Sequence, residues 1–431
     1  MARKGLDPLG VPGSGHTVAT TDTHAKSPPT GLDRWIASQF VRGAGAMPVD
    51  LVLWQGETIA STRPAAARVR IADRGALWKL ALHPGLAFGD LYSVGRLRVE
   101  GDLVETLEAV YRAIGALRGR SGLKRIVQKM LLLSAPSLAR SRENIHHHYD
   151  LGNDFYELWL DREAMQYTCA YYPTSEMSLE QAQLAKMDHV CRKLWLQAGE
   201  SVVEAGCGWG GFALHMARSY GVKVRAFNIS HEQIAYGREW AAREGLTDRV
   251  EFVEDDYRNI DGRYDVFVSV GMLEHVGPGN YRELGRVIDR CLAPEGRGLI
   301  HSIGRDRPSR LNPWIRKRIF PGGYPPTLRE MSGIFEPAGL SVLDVENLRL
   351  HYAATLREWL ARYERNVEQV QAMFDDRFVR AWRLYLAGSI AGFSTGSMQL
   401  FQVLFARSGE NALPASRAHV YATGPSSGES R

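Results

Sequence analysis

No run of apolar residues in this 431-residue chain is long enough to cross a bilayer, so no transmembrane helix is expected. Met1-Ala2-Arg3-Lys4 is not followed by an apolar core, so no secretory signal is expected either. Cysteine is scarce. Cys169, Cys191, Cys207 and Cys291 are irregularly spaced, which fits neither a disulfide framework nor a C-x-x-C metal site and suits a reduced, cytoplasmic protein. Acidic residues are missing altogether between Glu108 and Glu143, an interval that holds Arg112, Arg118, Arg120, Lys124, Arg125, Lys129, Arg140 and Arg142. Such a basic block with apolar neighbours docks on anionic phospholipid or nucleic acid, or forms a solvated helix face. The net charge is only +5, and 45% hydrophobic residues are enough for a full core.

The glycine-rich stretch is Val202-Val203-Glu204-Ala205-Gly206-Cys207-Gly208-Trp209-Gly210-Gly211, with glycines at the alternate positions Gly206, Gly208 and Gly210. A short apolar run suits a buried parallel strand, and Phe212 to Arg218 reads as a helix. Strand, glycine turn and helix open a nucleotide-binding βαβ unit. An acidic residue two positions before the first glycine suits a nucleoside without a pyrophosphate, the pattern of S-adenosylmethionine (AdoMet) methyltransferases. A glycine-rich turn in another α/β protein would share these features.

Residues 1–30 are rich in Gly, Pro, Ser, Thr and His, show no hydrophobic period, and are expected to be disordered. Residues 31–120 read as a small α+β domain. An amphipathic helix covers Leu32–Val41, β-like runs Leu51–Trp54, Val69–Ile71 and Leu77–Leu80, and a helix Leu103–Leu117. Residues 121–140 form a basic amphipathic linker that suits a membrane surface or a packed helix equally. His146-His147-His148 suggests metal, but adjacent side chains share no face and no further ligand lies at helical spacing, so no metal site is expected. From residue 141 to about 410 strands alternate with helices, which predicts a doubly wound parallel α/β sheet. Arg305–Pro326 reads as an irregular insertion or lid, two long helices follow, and Met398–Phe405 is a final strand. Residues 411–431 are expected to be a disordered tail. Glu204, Asn228, Asp255, Glu274 and His301 fall at or near strand ends, where ligands of such sheets sit.

These stretches resemble the cyclopropane-fatty-acid synthase and mycolic acid cyclopropane synthase family. The resemblance rests on His147 to Tyr156, Gln166 to Tyr171, Glu204 to Gly210, Ser269 to Gly277, His301 to Gly304, His351 to Leu356 and Gln399 to Phe405, and spans roughly residues 140 to 407. Gly89-Asp90 and Tyr92 to Gly95 are similar, faintly, to the family's N-terminal lipid-binding domain. The resemblance implies a class I methyltransferase (Rossmann-like) sheet with helical insertions and methylene transfer from AdoMet to the cis double bond of an unsaturated phospholipid acyl chain, through a carbocation. It implies bicarbonate as the base, held by Cys169, Glu274, His301, Ile303 (backbone) and Tyr352. It implies AdoMet contacts at Tyr167, Thr168, Val202, Glu204, Gly206, Gly208, Gly210, Asn228, Ser230, Gln233, Tyr257 and Arg258. It further implies peripheral contact with the inner face of the membrane and leaves a homodimer open.

Two positions depart from common patterns. Asn228 stands where many methyltransferases use an acidic residue for the ribose, so Gln233 is expected to share that role. Ser389 stands where the family has a late cysteine, consistent with an alkene that needs no thiol nucleophile. A methylene- or methyl-branched product on the same fold, and a non-catalytic lipid-binding protein, are the alternatives. An RNA methyltransferase would explain the basic block, yet no nucleobase-reading aromatic pattern is present, so no nucleic-acid partner is expected.

Overall fold

The computed structural model describes residue 9 and residues 27–42, 47–117 and 151–421. The basic linker at 121–140, the three histidines and the ends of both tails lie outside the described residues. Contacts divide the chain into two compact units.

The first unit takes the chain up to residue 132 together with residues 309–321 and 356–397. Four strands, β1 (Val49–Val52), β2 (Thr58–Ile59), β3 (Ala67–Ile71) and β4 (Leu97–Glu100), pair in the order β2-β1-β3-β4. In β3 the residues alternate buried and exposed, with Val69 and Ile71 facing the core, as a one-sided sheet requires. Helices α1 (Gly31–Arg42), α2 (Arg74–Leu82), α3 (Pro84–Ser93) and α4 (Leu103–Leu117) come from the same stretch of chain. Leu77–Leu80, expected as a strand, is helical. Asp73 caps α2 by accepting a hydrogen bond from the Ala76 N–H at 2.8 Å, and Leu77 and Leu80 then share one buried face.

Residues 309–321 were expected in the larger domain but pack within this unit. Trp314, on the helix Pro313–Arg318, lies over Gly89 so closely that a Cβ there would come within 2.4 Å of the indole. Arg318 forms a two-pronged ion pair with Asp90 at 3.0 Å. The long helix Asp376–Ser394 packs on α3 and α4, with Arg380 donating to the Ser93 carbonyl at 2.7 Å. No helix among the described residues is long and apolar enough to cross a membrane.

The second unit carries a seven-stranded sheet, ordered β10-β11-β9-β8-β5-β6-β7. Its strands are β5 (Ser201–Ala205), β6 (Lys223–Asn228), β7 (Val250–Glu254), β8 (Tyr264–Val270), β9 (Leu292–Gly304), β10 (Leu340–Asn347) and β11 (Gln399–Arg407). β9, β8, β5, β6 and β7 run parallel, whereas β11 is antiparallel to both its neighbours. This is the class I methyltransferase arrangement expected, with β11 running against its neighbours. One hydrophobic cluster covers each face: Val202, Val224 and Val266 on one, Val203, Phe227 and Phe267 on the other. Burial on both faces explains the apolar runs Val202-Val203 of β5 and Val266-Phe267-Val268 of β8. In the tail, Ala418–Tyr421 forms a helical turn. Val420 is buried, and its carbonyl accepts from Arg192 at 2.9 Å.

Candidate functional site

β5 ends at a turn in which Gly206, Gly208 and Gly210 take φ values of +85°, +55° and +89°. A Cβ on Gly208 would meet no atom within 4 Å, so this residue borders open space. Gly211, the first residue of the next helix, has the opposite constraint. A Cβ there would fall 2.0 Å from the Ala164 carbonyl oxygen, so the segment before Tyr167 lies against the helix start. Between them opens a cavity of about 720 Å³, counted with its mouth.

Seven residues expected to contact AdoMet line this cavity: Tyr167, Thr168, Glu204, Gly206, Gly208, Asn228 and Gln233. Five do not. Val202 is wholly buried in the sheet core. Gly210 turns the chain into the helix. Ser230 caps the helix His231–Glu244 and accepts from the Gln233 N–H, so it acts one residue removed, by placing Gln233. Tyr257 is buried in the core, with Arg258 over its ring at 5.1 Å and bonded to Asp256.

Asn228 is a brace. Its amide donates to the Gly208 carbonyl at 3.2 Å and to Gln233 Oε1 at 2.8 Å. A carboxylate has no hydrogen to give to either oxygen, which accounts for the absence of an acidic residue here. The Gln233 amide nitrogen is buried without a protein partner, and so is Glu204 Oε2.

Sequence reasoning missed Lys186. It is fully buried on the helix Leu179–Lys193, donating to Thr168 Oγ1 at 3.0 Å and to Gln166 Oε1. Burial pushes its ammonium down to about 8 and the nearby Glu204 carboxyl up to about 8. The signal was present: Lys186, His189 and Lys193 recur at helical spacing on the face that also carries Leu179, Ala182 and Val190. Tyr156, Trp159, Tyr167 and Trp209 pack with tilted or edge-on rings as an aromatic cluster, with Tyr156 and Trp209 centroids 5.0 Å apart.

The five residues expected around bicarbonate lie on neighbouring elements. Glu274 sits on the helical turn Leu273–Val276 after β8, and its Oε1 accepts from the Ile303 N–H at 2.5 Å. That backbone donor, expected to face an anion, is therefore engaged by Glu274. Burial pushes Glu274 up to about 7, against the lowering effect of its backbone hydrogen bonds, and its Oε2 has no protein partner. His301 shares β9 with Ile303. Its Nδ1 lies 3.2 Å from the Gln402 amide nitrogen, and its Nε2 is buried and unpartnered. Burial first, then the positive charges of Lys186 and Lys193, hold it down to about 3. Cys169 is wholly buried, its thiol pushed far up by burial, and lies 3.9 Å from the Leu348 carbonyl. The Tyr352 N–H donates to that same carbonyl at 3.2 Å. The Leu348 N–H in turn bonds the Leu400 carbonyl, and Leu400 pairs with Ile303 across the sheet.

The sequence pattern of the mycolic acid cyclopropane synthetase family matches residues 137–403. The chain belongs to this family. It is 35% identical over 398 residues to a probable fatty acid methyltransferase of Pseudomonas putida, covering 87% of this chain and 96% of that protein. Over 271 residues it is 41% identical to the cyclopropane-fatty-acyl-phospholipid synthase of Escherichia coli K12, covering 63% of this chain and 69% of that one. Among solved structures, mycolic acid cyclopropane synthase CmaA1 in complex with SAH and CTAB superposes with a TM-score of 0.59 at 29% identity, over 62% of this chain and 98% of that one. This family member is thus an AdoMet-dependent methyltransferase. The open space before Gly208 and the unpartnered polar atoms of Glu204 and Gln233 fit that methyl donor.

Proposed function

We propose that the enzyme adds the AdoMet methyl group to the cis double bond of an unsaturated phospholipid acyl chain and closes it to a cyclopropane, with bound bicarbonate taking up the proton. The observation that carries this reading is a pair of buried, unpartnered atoms, Glu274 Oε2 on the helical turn after β8 and His301 Nε2 on the neighbouring strand β9. A carboxylate oxygen accepts and a neutral imidazole N–H donates, which is the complement a small hydrogen-bearing oxyanion needs. AdoMet supplies an electrophilic methyl group. The alkene is the nucleophile, so the chain needs no thiolate, and the raised thiol of Cys169 agrees with that. Tyr167 and Trp209 supply ring faces suited to a cationic acyl chain. Tyr352 completes the proposed anion site, and the Ile303 N–H holds Glu274 in place beside it.

Two features of the first unit support contact with a membrane surface. Leu32 and Trp35 on α1 are 52% and 59% exposed, and Leu82 on the adjoining α2 is 67% exposed. Exposed large apolar side chains on a helix that also carries Arg34 and Arg42 suit an interfacial seat.

Incubation with AdoMet and vesicles of cis-monounsaturated phospholipid tests the reading. The acyl chains are expected to gain the mass of one CH₂ and to lose their olefinic proton signals. No mass gain on any unsaturated lipid refutes it. A gain with olefinic protons retained supports the branched-product alternative, which the likeness to a probable fatty acid methyltransferase favours.

A further inference from the structure

β11 is apolar along almost its whole length, and all but its two end residues are buried. Gln402 breaks that run. It is wholly buried at the centre of the sheet, in register with His301 of β9 on one side and Glu346 of β10 on the other. A buried amide in such a strand is unfavourable unless it makes a hydrogen bond. Its nitrogen lies 3.2 Å from His301 Nδ1. With the amide in this orientation its NH₂ donates, so Nδ1 accepts and the ring proton falls on Nε2, while Gln402 Oε1 is left without a hydrogen-bond partner.

We propose that Gln402 is a positioning residue that holds His301 as the neutral Nε2–H tautomer, so that His301 offers the active-site oxyanion a hydrogen-bond donor and not a base. The role toward an oxyanion rests on the function proposed above; the tautomer does not. Charged and titratable groups around His301 agree with it. Lys186, His189 and Lys193 approach from the helix Leu179–Lys193, and Glu346 from β10. The Glu346 carboxylate is already taken, by His189 Nε2 at 2.7 Å and Lys193 at 2.5 Å, so it is not available to turn His301 into a cation. A neutral donor has a chemical advantage here. It stabilises an anion without placing a positive charge beside a cationic acyl chain. Glutamate at position 402 would accept from Nδ1–H and favour the imidazolium instead.

The test uses the full chain labelled with ¹⁵N-histidine near neutral pH, with His301 assigned by the resonances lost in H301Q. Nε2 is expected to be protonated and Nδ1 unprotonated. In Q402M, which keeps the shape of the side chain, the two tautomers are expected to mix; in Q402E the ring proton moves to Nδ1 or both nitrogens are protonated. Turnover on phospholipid vesicles is expected to fall at least roughly tenfold in Q402E with AdoMet affinity within about twofold, the scale seen when a partner orienting a histidine is lost. An Nδ1–H tautomer or an imidazolium in the native protein overturns the proposal, whatever the variants do. So does a tautomer that is unchanged in both variants. If the spectra behave as expected but the native enzyme modifies no unsaturated lipid, the tautomer assignment stands and the proposed function falls.

Discussion

Replacing Glu274 by glutamine is expected to abolish methylene transfer and, at alkaline pH, to stabilise the fold. Glu274 is fully buried and its carboxyl is raised from 4.5 to about 7, first by desolvation. A raised carboxyl favours folding below pH 4.5, where it is protonated in both states, and that contribution is lost as pH rises through 7. The rise corresponds to about 3 kcal/mol. Glutamine keeps a carbonyl oxygen to accept the Ile303 N–H, so the helical turn stays in place. Its NH₂ replaces an oxygen that has no protein partner, which costs about 1 kcal/mol. At pH 8 the variant is therefore expected to be more stable than the native enzyme by about 2 kcal/mol, and this advantage disappears below pH 4.5. Glu204 and the other titrating groups are common to both proteins and cancel in the difference. Urea unfolding of both proteins in bicarbonate-free buffer between pH 4 and 8 measures it, and product analysis on vesicles measures the loss of turnover. A variant equally stable at all pH values would refute the burial argument. Retained turnover would remove Glu274 from the chemistry.

Four further expectations follow from the structure. Asn228→Asp removes both amide hydrogens that tie Gly208 to Gln233, so AdoMet affinity measured by calorimetry is expected to fall about tenfold, or about 1.4 kcal/mol; unchanged affinity means the brace is dispensable. Gly208→Ala is expected to fold with a penalty of about 1 kcal/mol for its left-handed backbone while weakening AdoMet binding, because its methyl group enters the cavity. Gly211→Ala, which meets the Ala164 carbonyl, is expected to unfold at markedly lower temperature, and equal melting of the two variants would contradict the packing described. Replacing Leu32 and Trp35 together by serine is expected to weaken vesicle flotation at least roughly tenfold with little change in melting temperature, since both are more than half exposed; full vesicle binding would return that surface to plain solvent exposure.

The order of strands and helices in the second unit was legible in the sequence because it depends on local periodicity. β8 begins and ends where its apolar run does, and the helices His231–Glu244 and Tyr281–Cys291 have the bounds their pattern predicts. The glycine turn, too, is written locally, as left-handed backbone that side chains resist. Leu77–Leu80 has too few residues to show a period, and a local signal, the Asp73 cap, settles it as helix. Three features were decided only by tertiary structure. Residues 309–321 joined the first unit because Trp314 and Arg318 meet Gly89 and Asp90, more than two hundred residues earlier in the chain. Lys186 gained its place beside Thr168 through a loop and a helix that local pattern describes separately. Gln402 looked like one more residue of a strand motif until β11 paired with β9 and set its amide against His301. Local sequence specifies backbone conformation through sterics and the apolar period, whereas the partner of a buried polar group is chosen by strand register and packing between distant segments, so it emerges only when the chain has folded.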